Sequence, residues 1–360
     1  MNILYFWAEE NNNMSQWQRI HIFDELEKEG HTIEVFNPLN FNSNDHANLS
    51  IKKDFQKRKS MPDLFMSCMS SDYLFRDTIE LIKKMGIPTL LICFDNLHVP
   101  FIHKKTAPLF DLVWLTSIET QYLFKKWGCN TIFLPYAANP YKFKSSFKHE
   151  IPAIGFIGSL YGARLNKIRF LADNNIKCNV YSNKVNSTNN KYDASTVNFF
   201  YELLKFPVGR SVLKGAIKNK LQLNFASKLI DDKKINYYPS VVFEDMIQLY
   251  SNLNLSLGVT ELRNTYLLSK PLFKLHLRTF EIPMSGGLQI TSYTDELANY
   301  FEDDKEIILY KNNEEFLDKT KFYMSKKNSK IRLEMKTNAR KRAIGEHTWF
   351  NRFNKVFSSI

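Results

Sequence analysis

Three charged side chains and a hydroxyl stand at helical spacing in the segment SKPLFKLHLRTFEIPMSGGLQITS (residues 269–292): Lys274, Arg278, Glu281 and Ser285, at i, i+4, i+7 and i+11. Pro271 suits the first turn of a helix, where its missing N–H would be unpaired anyway. Gly286 and Gly287 suit its close, with positive φ leading into a strand over LQIT. Phe273, Leu277, Phe280 and Met284 on one side, and Leu272, Leu275 and Ile282 on another, would bury such a helix, so its charged stripe needs partners. An internal Arg278–Glu281 pair at i,i+3 with Lys274 in solvent is one solution; a bound ligand is the other. A second group lies in FDNLHVP (94–100), where the apolar run TLLICF ends: Asp95, Asn96 and His98. A carboxylate or imidazole there can take a proton from a substrate hydroxyl. Asp95 capping the next turn, with His98 in solvent, explains the same residues without chemistry. The polar loop AEENNNMSQW (8–17) offers Asn11–Asn13 for ligand contacts and Ser15 as an N-cap. His347 and Arg352 read as packing residues of a terminal helix. No DxD motif occurs, and the DD pairs at 231–232 and 303–304 read as loop charges.

The elements that must position these groups alternate. Short apolar runs at 2–7, 32–36, 63–67, 89–94, 112–116 and 130–134 are separated by helical periodicity, as in 73–85 and from about Ser15 to Gly30. Strands alternating with helices at this spacing predict a parallel sheet covered on both faces. A second α/β unit begins at IPAIGFIGS (151–159) and continues through runs near 179–182, 235–242, 253–259 and 287–291. The polar stretch 137–150, with Pro140, is the expected connector. The organisation expected is therefore one α/β domain over 1–140, a second over 151–344 with an insertion at about 183–234, and a terminal helix over 345–360. Two such domains would face one another across a cleft at the carboxyl ends of their strands.

Composition narrows the partners. The 360 residues are 44% hydrophobic and 24% charged, which excludes a disordered, collagenous or coiled-coil chain. Forty-nine Lys and Arg against 37 Asp and Glu leave +12, suited to an anionic partner. Four scattered cysteines, Cys68, Cys93, Cys129 and Cys178, form neither a zinc cluster nor a disulfide framework and fit a reducing compartment. No signal peptide or transmembrane run is expected, so a cytoplasmic protein is.

The segment RTFEIPMSGG resembles the signature of spore-maturation (CgeB-like) proteins and related group-1 glycosyltransferases of GT-B architecture, two Rossmann-like domains around a cleft. The similarity is ordered along the chain: IGFIGSLYGAR (154–164), YPSVVFEDMIQLYSNLNLSLGV (238–259), DELANYFEDDKEIILYKNNEEF (295–316) and EHTWFNRF (346–353) resemble the family's successive elements. The resemblance implies transfer of a sugar from a nucleotide-diphosphate donor, a UDP-sugar first, to an acceptor hydroxyl. It gives Glu281 the nucleotide ribose hydroxyls. It gives Arg164 the diphosphate, with Lys270, Lys274 and Arg278 next, and a supporting role to Ser159 and Gly158. It makes 1–140 the acceptor-side domain, with Asp95 and His98 as its candidates, 151–344 the nucleotide-sugar-binding domain, and 345–360 a helix that crosses back to the first domain. The family implies no metal and no cofactor beyond the donor, retention at the anomeric carbon, and a setting in bacterial surface polysaccharide or lipopolysaccharide synthesis. One departure stands out: group-1 relatives usually carry a first glutamate eight residues before the ribose glutamate, and here that residue is Phe273. A non-catalytic sugar-nucleotide-binding scaffold and a nucleotide-sugar epimerase on the same architecture are the alternatives.

The charge surplus is concentrated. Residues 202–234 carry eight cations and three acids, a net +5, interleaved with Val212, Leu213, Ala216, Ile217 and Leu221. That pattern suits a helix lying on anionic lipid at the inner face of a membrane, near a glycan or lipid-linked acceptor. An ordinary solvated basic helix is the alternative. No zinc finger, RNP-type aromatic motif or helix-turn-helix signal points to nucleic acid.

Overall fold

A computed structural model describes residues 1–11, 13–183, 194–222 and 233–360. The chain divides into two units, Met1–Lys142 with Thr348–Ile360, and Phe143–His347.

The first unit holds six parallel strands, β1 (Asn2–Phe6), β2 (Thr32–Phe36), β3 (Leu64–Ser67), β4 (Thr89–Cys93), β5 (Leu112–Leu115) and β6 (Thr131–Phe133), in the order β2-β1-β3-β4-β5-β6. β3, β4 and β5 are buried along their whole length, which is why their sequences are continuously apolar rather than alternating. Around them run α1 (Asn13–Gln18), a π-helical turn (Arg19–Phe23), α2 (Asp24–Lys28), α3 (Asn44–Lys57), α4 (Arg76–Lys84) and α5 (Gln121–Lys126). Since α1 starts at Asn13, Ser15 lies inside its first turn rather than at the N-cap. Helix α3, which apolar periodicity did not reveal, starts where Ser43 accepts a hydrogen bond from His46 N at 3.2 Å.

The second unit contains β7 (Ile151–Ile157), β8 (Cys178–Tyr181), β9 (Ile235–Tyr238), β10 (Leu253–Leu257), β11 (Gln289–Ser292) and β12 (Ile308–Tyr310), all parallel, in the order β12-β11-β10-β7-β8-β9. Its helices are α6 (Ala163–Asp173), α7 (Ala194–Leu204), α8 (Pro207–Gln222), α9 (Phe243–Asn252), α10 (Leu277–Met284), α11 (Asp295–Ala298), α12 (Asn313–Met324) and α13 (Ser329–Glu346). Ile154, Phe156, Leu255, Leu257 and Ile290 form the core of one sheet face with Ile168 of α6 and Phe316 of α12. The order reverses between β7 and β10, and the carboxyl ends at such a switch point are where open α/β sheets bind ligands.

The expected long helix over 271–285 is half that length. From Leu272 to Lys274 the chain pairs antiparallel with 260–262: Leu262 N donates to Leu272 O and Lys274 N to Thr260 O, both at 2.7 Å, with Glu261 beside Phe273. Proline's fixed φ serves an extended arm as readily as a helix start, and this pairing satisfies the arm's backbone. Helix α10 opens only after His276, whose N–H reaches Thr279 Oγ1 at 3.4 Å. Lys274 is therefore not on the helical stripe. The predicted close holds: Gly286 sits at φ +73°, and Gly287 N donates to Ile282 O at 2.9 Å.

The last helix, α14 (Trp349–Phe357), belongs to the first unit. Its first turn is capped by the fully buried Glu25, which accepts from Phe350 N at 2.7 Å and Trp349 N at 3.2 Å. Burial raises the Glu25 carboxyl from 4.5 to about 7, against the pull of those amides. The folded state therefore keeps a proton that the unfolded chain releases above its ordinary pKa, and stability falls as pH rises from about 4.5 through about 7, by on the order of 3 kcal/mol. All five tryptophans lie in this unit, so their fluorescence reports on it alone. Denaturation at pH 5 and pH 8 should show wild type losing stability relative to Glu25→Gln, and a parallel response of the two proteins would contradict this. Using the difference removes the opposing trend from buried His103, which burial holds down at about 4. Among the described residues no helix is long and apolar enough to cross a membrane.

Candidate functional site

Strand β7 ends at the switch point in a turn that only glycine can make. Gly158 has φ +136°, and a Cβ there would overlap Arg278 Nη2. Gly162, at φ +58°, closes the turn against Arg263 O and releases the chain into α6. Arg164 is in the first turn of that helix, buried, with Nη1 donating to Ser159 O at 2.8 Å and its guanidinium 4.0 Å from the Tyr161 ring centroid. Arg278, in the first turn of α10, donates from Nη2 to Ile157 O at 2.5 Å. Its Nε is buried and has no partner among the described residues. Both guanidiniums face Phe156, at 5.8 Å for Arg164 and 5.2 Å for Arg278. Burial, and then the nearby charge of Arg278, push Arg164 down to about 10, so it stays charged at neutral pH while opposing its neighbour. Two cations in such proximity, one of them buried, form a natural seat for an anion.

Glu281 follows Arg278 by one helical turn and is 9% exposed. Tyr250 of α9 completes the group: burial pushes its hydroxyl up to about 12, Arg278 pulls it down and Glu281 raises it. Of the other expected anion ligands, Lys270 is exposed and Lys274 is buried on the extended arm. Ser159 is exposed, and its carbonyl already serves Arg164. The structure thus brings Gly158, Ser159, Arg164, Arg278 and Glu281 to one strand end.

Sequence reading missed a neighbouring cluster. Glu261, just beyond β10, accepts from Ser292 Oγ at 2.9 Å, and Lys167, three residues past Arg164 on α6, approaches to 3.8 Å. Burial lowers Lys167, and the Glu261 charge raises it back. The signal available was the position of Glu261 at the carboxyl end of a buried strand. Tyr250 and Lys167 carried none. A separate cavity of about 380 Å³ lies against α13, but its buried cation Lys336 is engaged with the Ser251 and Leu253 carbonyls, both at 2.8 Å, at the end of α9.

In the first unit, Asp95 is exposed and His98 half-buried in the turn after β4. Asn96, grouped with them by sequence, is instead a buried clamp: Nδ2 donates to Ser117 O at 2.6 Å and Thr120 Oγ1 at 2.8 Å, and Oδ1 accepts from Thr116 N at 3.0 Å and Ser117 N at 3.1 Å. With its amide fully engaged it cannot serve a substrate. Buried His103, unnoticed in the sequence, is close enough to feel the Asp95 charge. The first loop is tied down by Glu9, which accepts from Arg19 Nη2 at 2.6 Å, and by Asn37 Nδ2 donating to Glu9 O at 2.8 Å. Asn11 is exposed; Asn12 and the Asn13 side chain lie outside the described residues. His347 is buried against Phe280 and Phe301 with Nε2 3.0 Å from Tyr300 O, and Arg352 donates from Nε to Pro135 O at 3.2 Å, so both pack. Among the described residues no three His, Cys, Asp or Glu side chains could hold a metal ion.

Residues 210–358 match the family described as glycosyl transferase-like. No curated protein matches the chain. A solved glycosyltransferase from Rickettsia africae ESF-5 superposes with a TM-score of 0.62 at 13% identity, over 99% of this chain and 97% of that one. HepE of Anabaena, in complex with UDP-glucose, gives 0.59 at 12% identity over 100% of both chains. Sucrose-phosphate synthase from Thermosynechococcus elongatus gives 0.59 at 10%, again over 100% of both. The chain has the GT-B fold. In GT-B terms, Arg164, Arg278 and Glu281 belong to the C-terminal Rossmann-like unit, and Asp95, His98 and His103 to the N-terminal one. The family match begins inside α8 and includes α10 with Arg278 and Glu281, while Arg164 and the Gly158 turn precede it.

Proposed function

We propose that the protein is a glycosyltransferase that moves a sugar from a nucleoside-diphosphate donor to an acceptor hydroxyl. The observation that carries this reading is the pair Arg164 and Arg278 around Phe156 at the β7–β10 switch point, with Glu281 one turn beyond. The cations suit a diphosphate, and a carboxylate suits vicinal ribose hydroxyls, which donate to it. Departure of the nucleoside diphosphate breaks the anomeric C–O bond and leaves charge on the β-phosphate, which fixed guanidiniums stabilise without a metal. Lys274 and Lys270 extend the positive field, and Ser159 borders the turn. On the acceptor side Asp95 or His98 takes the hydroxyl proton as the new bond forms.

Support for a UDP-sugar comes from the fold relative solved with UDP-glucose. The RTFEIPMSGG signature supports a place near the CgeB-like group, retention, and a cytoplasmic role in surface polysaccharide or lipopolysaccharide assembly. Phe273, where relatives carry a first glutamate, favours the second reading, a sugar-nucleotide-binding scaffold without turnover.

A thermal-shift screen against UDP, GDP, CMP and ADP tests the donor class. A ligand at a hundredfold its Kd stabilises by about 2.7 kcal/mol, so one nucleotide should stand out. Loss of that donor's sugar in the presence of glycan acceptors then separates transferase from scaffold, and interconversion without acceptor would mark an epimerase. No shift with any of the four would sink the nucleotide reading.

A further inference from the structure

The basic insertion is well anchored on one side and unusually apolar on the other. Helices α7 and α8, separated only by Lys205 and Phe206, pack against each other. Leu203, Phe206 and Val208 are buried, and Gly209 approaches the Leu203 backbone so closely that a Cβ would overlap it. On its far side α8 is fixed to the rest of the unit: Gly215 lies against Asn264 O, and Lys218 Nζ donates to Leu267 O at 2.6 Å.

The remaining surface is not what a solvated basic helix requires. Leu221 is 82% exposed, the most exposed large hydrophobic among the described residues, with Ile217 at 62%, Tyr201 at 60% and Leu204 at 54%. Arg210, Lys214, Ile217 and Leu221 fall at i, i+4, i+7 and i+11, which places two cations and two apolar tips along one stripe of α8. Over 198–222 five cations, Lys205, Arg210, Lys214, Lys218 and Lys220, accompany a single acid, Glu202, which pairs with Lys205. Apolar tips ringed by one sign of charge mark an interaction surface. A second copy of the chain is a poor occupant, because an isologous contact would set four net positive charges against four. An anionic lipid surface answers both features. Apolar tips enter between headgroups while Lys and Arg, on long aliphatic stems, stay at the level of the phosphates.

We propose that the α7–α8 hairpin docks the protein on an anionic lipid surface, with Tyr201, Leu204, Ile217 and Leu221 entering the interface and Arg210, Lys214 and Lys220 meeting lipid phosphates. The surface lies in the nucleotide-binding unit but uses none of its candidate site residues, so docking stands independently of sugar transfer. It would hold a soluble enzyme beside an acceptor carried on lipid.

The full chain is sedimented with phosphatidylcholine vesicles with and without phosphatidylglycerol. Binding is expected only when phosphatidylglycerol is present, weakening as salt rises. Replacing Lys214 and Lys220 with glutamine should lower partitioning roughly thirtyfold. Ile217→Ser with Leu221→Ser should lower it at least tenfold. All four positions are exposed, so melting temperature and the nucleotide-induced shift should stay at wild-type values, which separates failure of docking from failure of the nucleotide reading. Equal binding to neutral vesicles, no binding to either, or a solution dimer that the Ile217→Ser/Leu221→Ser variant dissolves would overturn the proposal.

Discussion

Replacing Arg164 with alanine should lower turnover by on the order of 10²–10³-fold while leaving the unliganded fold largely intact. The residue is held at the switch point by a hydrogen bond to Ser159 O and by its contact with Tyr161. Burial and the Arg278 charge both oppose its charge. Alanine removes that opposition along with the hydrogen bond, so the melting temperature of the unliganded protein should change little. The effect appears when charge develops on the leaving diphosphate, because one of two prepositioned cations is then missing. Arg278 is a poorer test, because its Nη2 also holds the β7 terminus through Ile157 O and its loss would disturb the turn. Arg164→Lys sharpens the comparison: it restores the charge but not the planar fork, and should recover only part of the rate. Steady-state transfer rates and the nucleotide-induced thermal shift measure both steps. Wild-type turnover in Arg164→Ala would remove the arginine pair from the chemistry.

The sequence made this comparison available because some of the physics is local. Strands buried on both faces must be continuously apolar, so TLLIC and LVWL announced themselves without alternation. Gly158 and Arg164 are six residues apart around one strand–turn–helix unit, and Arg278 and Glu281 share one helix. Other features depend on distant strands meeting. Glu261 becomes part of a cluster only because β10 lies between β7 and β11, which brings Lys167 and Ser292 to it. His103 matters through the Asp95 charge, and nothing in PFIH announces that proximity. The start of α10 was misplaced for a related reason. The apolar pattern from Pro271 onward has helical period, but residues 260–262 supply a competing backbone partner 12 residues upstream, and a long-range pairing outweighs local propensity. Asn96 failed as a ligand candidate because the β5 loop, 20 residues away, consumes its amide.

Glu281 carries the second large effect, and nucleotide analogues can separate its role from mere packing. An ionised carboxylate accepting from a ribose hydroxyl contributes about 1.5–3 kcal/mol, so Glu281→Ala should raise the Kd for UDP roughly 10–100-fold. Wild type should lose a comparable factor when UDP is replaced by its 2′-deoxy or 3′-deoxy form. The two losses should not add: Glu281→Ala should bind UDP and the deoxy form that wild type discriminates against with nearly equal affinity, the signature of a shared contact in a double-mutant cycle. Pyrophosphate, which lacks the ribose, should bind wild type and variant alike. The competing role is structural, since Glu281 is almost buried and its charge bears on Tyr250, which also feels Arg278. A carboxylate that only organised those neighbours would, when removed, weaken UDP and its deoxy forms by the same factor and weaken pyrophosphate with them. Titrations with UDP, its two deoxy forms and pyrophosphate therefore distinguish a ribose contact from a support for the arginine pair, because only the direct contact makes the penalty depend on the sugar hydroxyl.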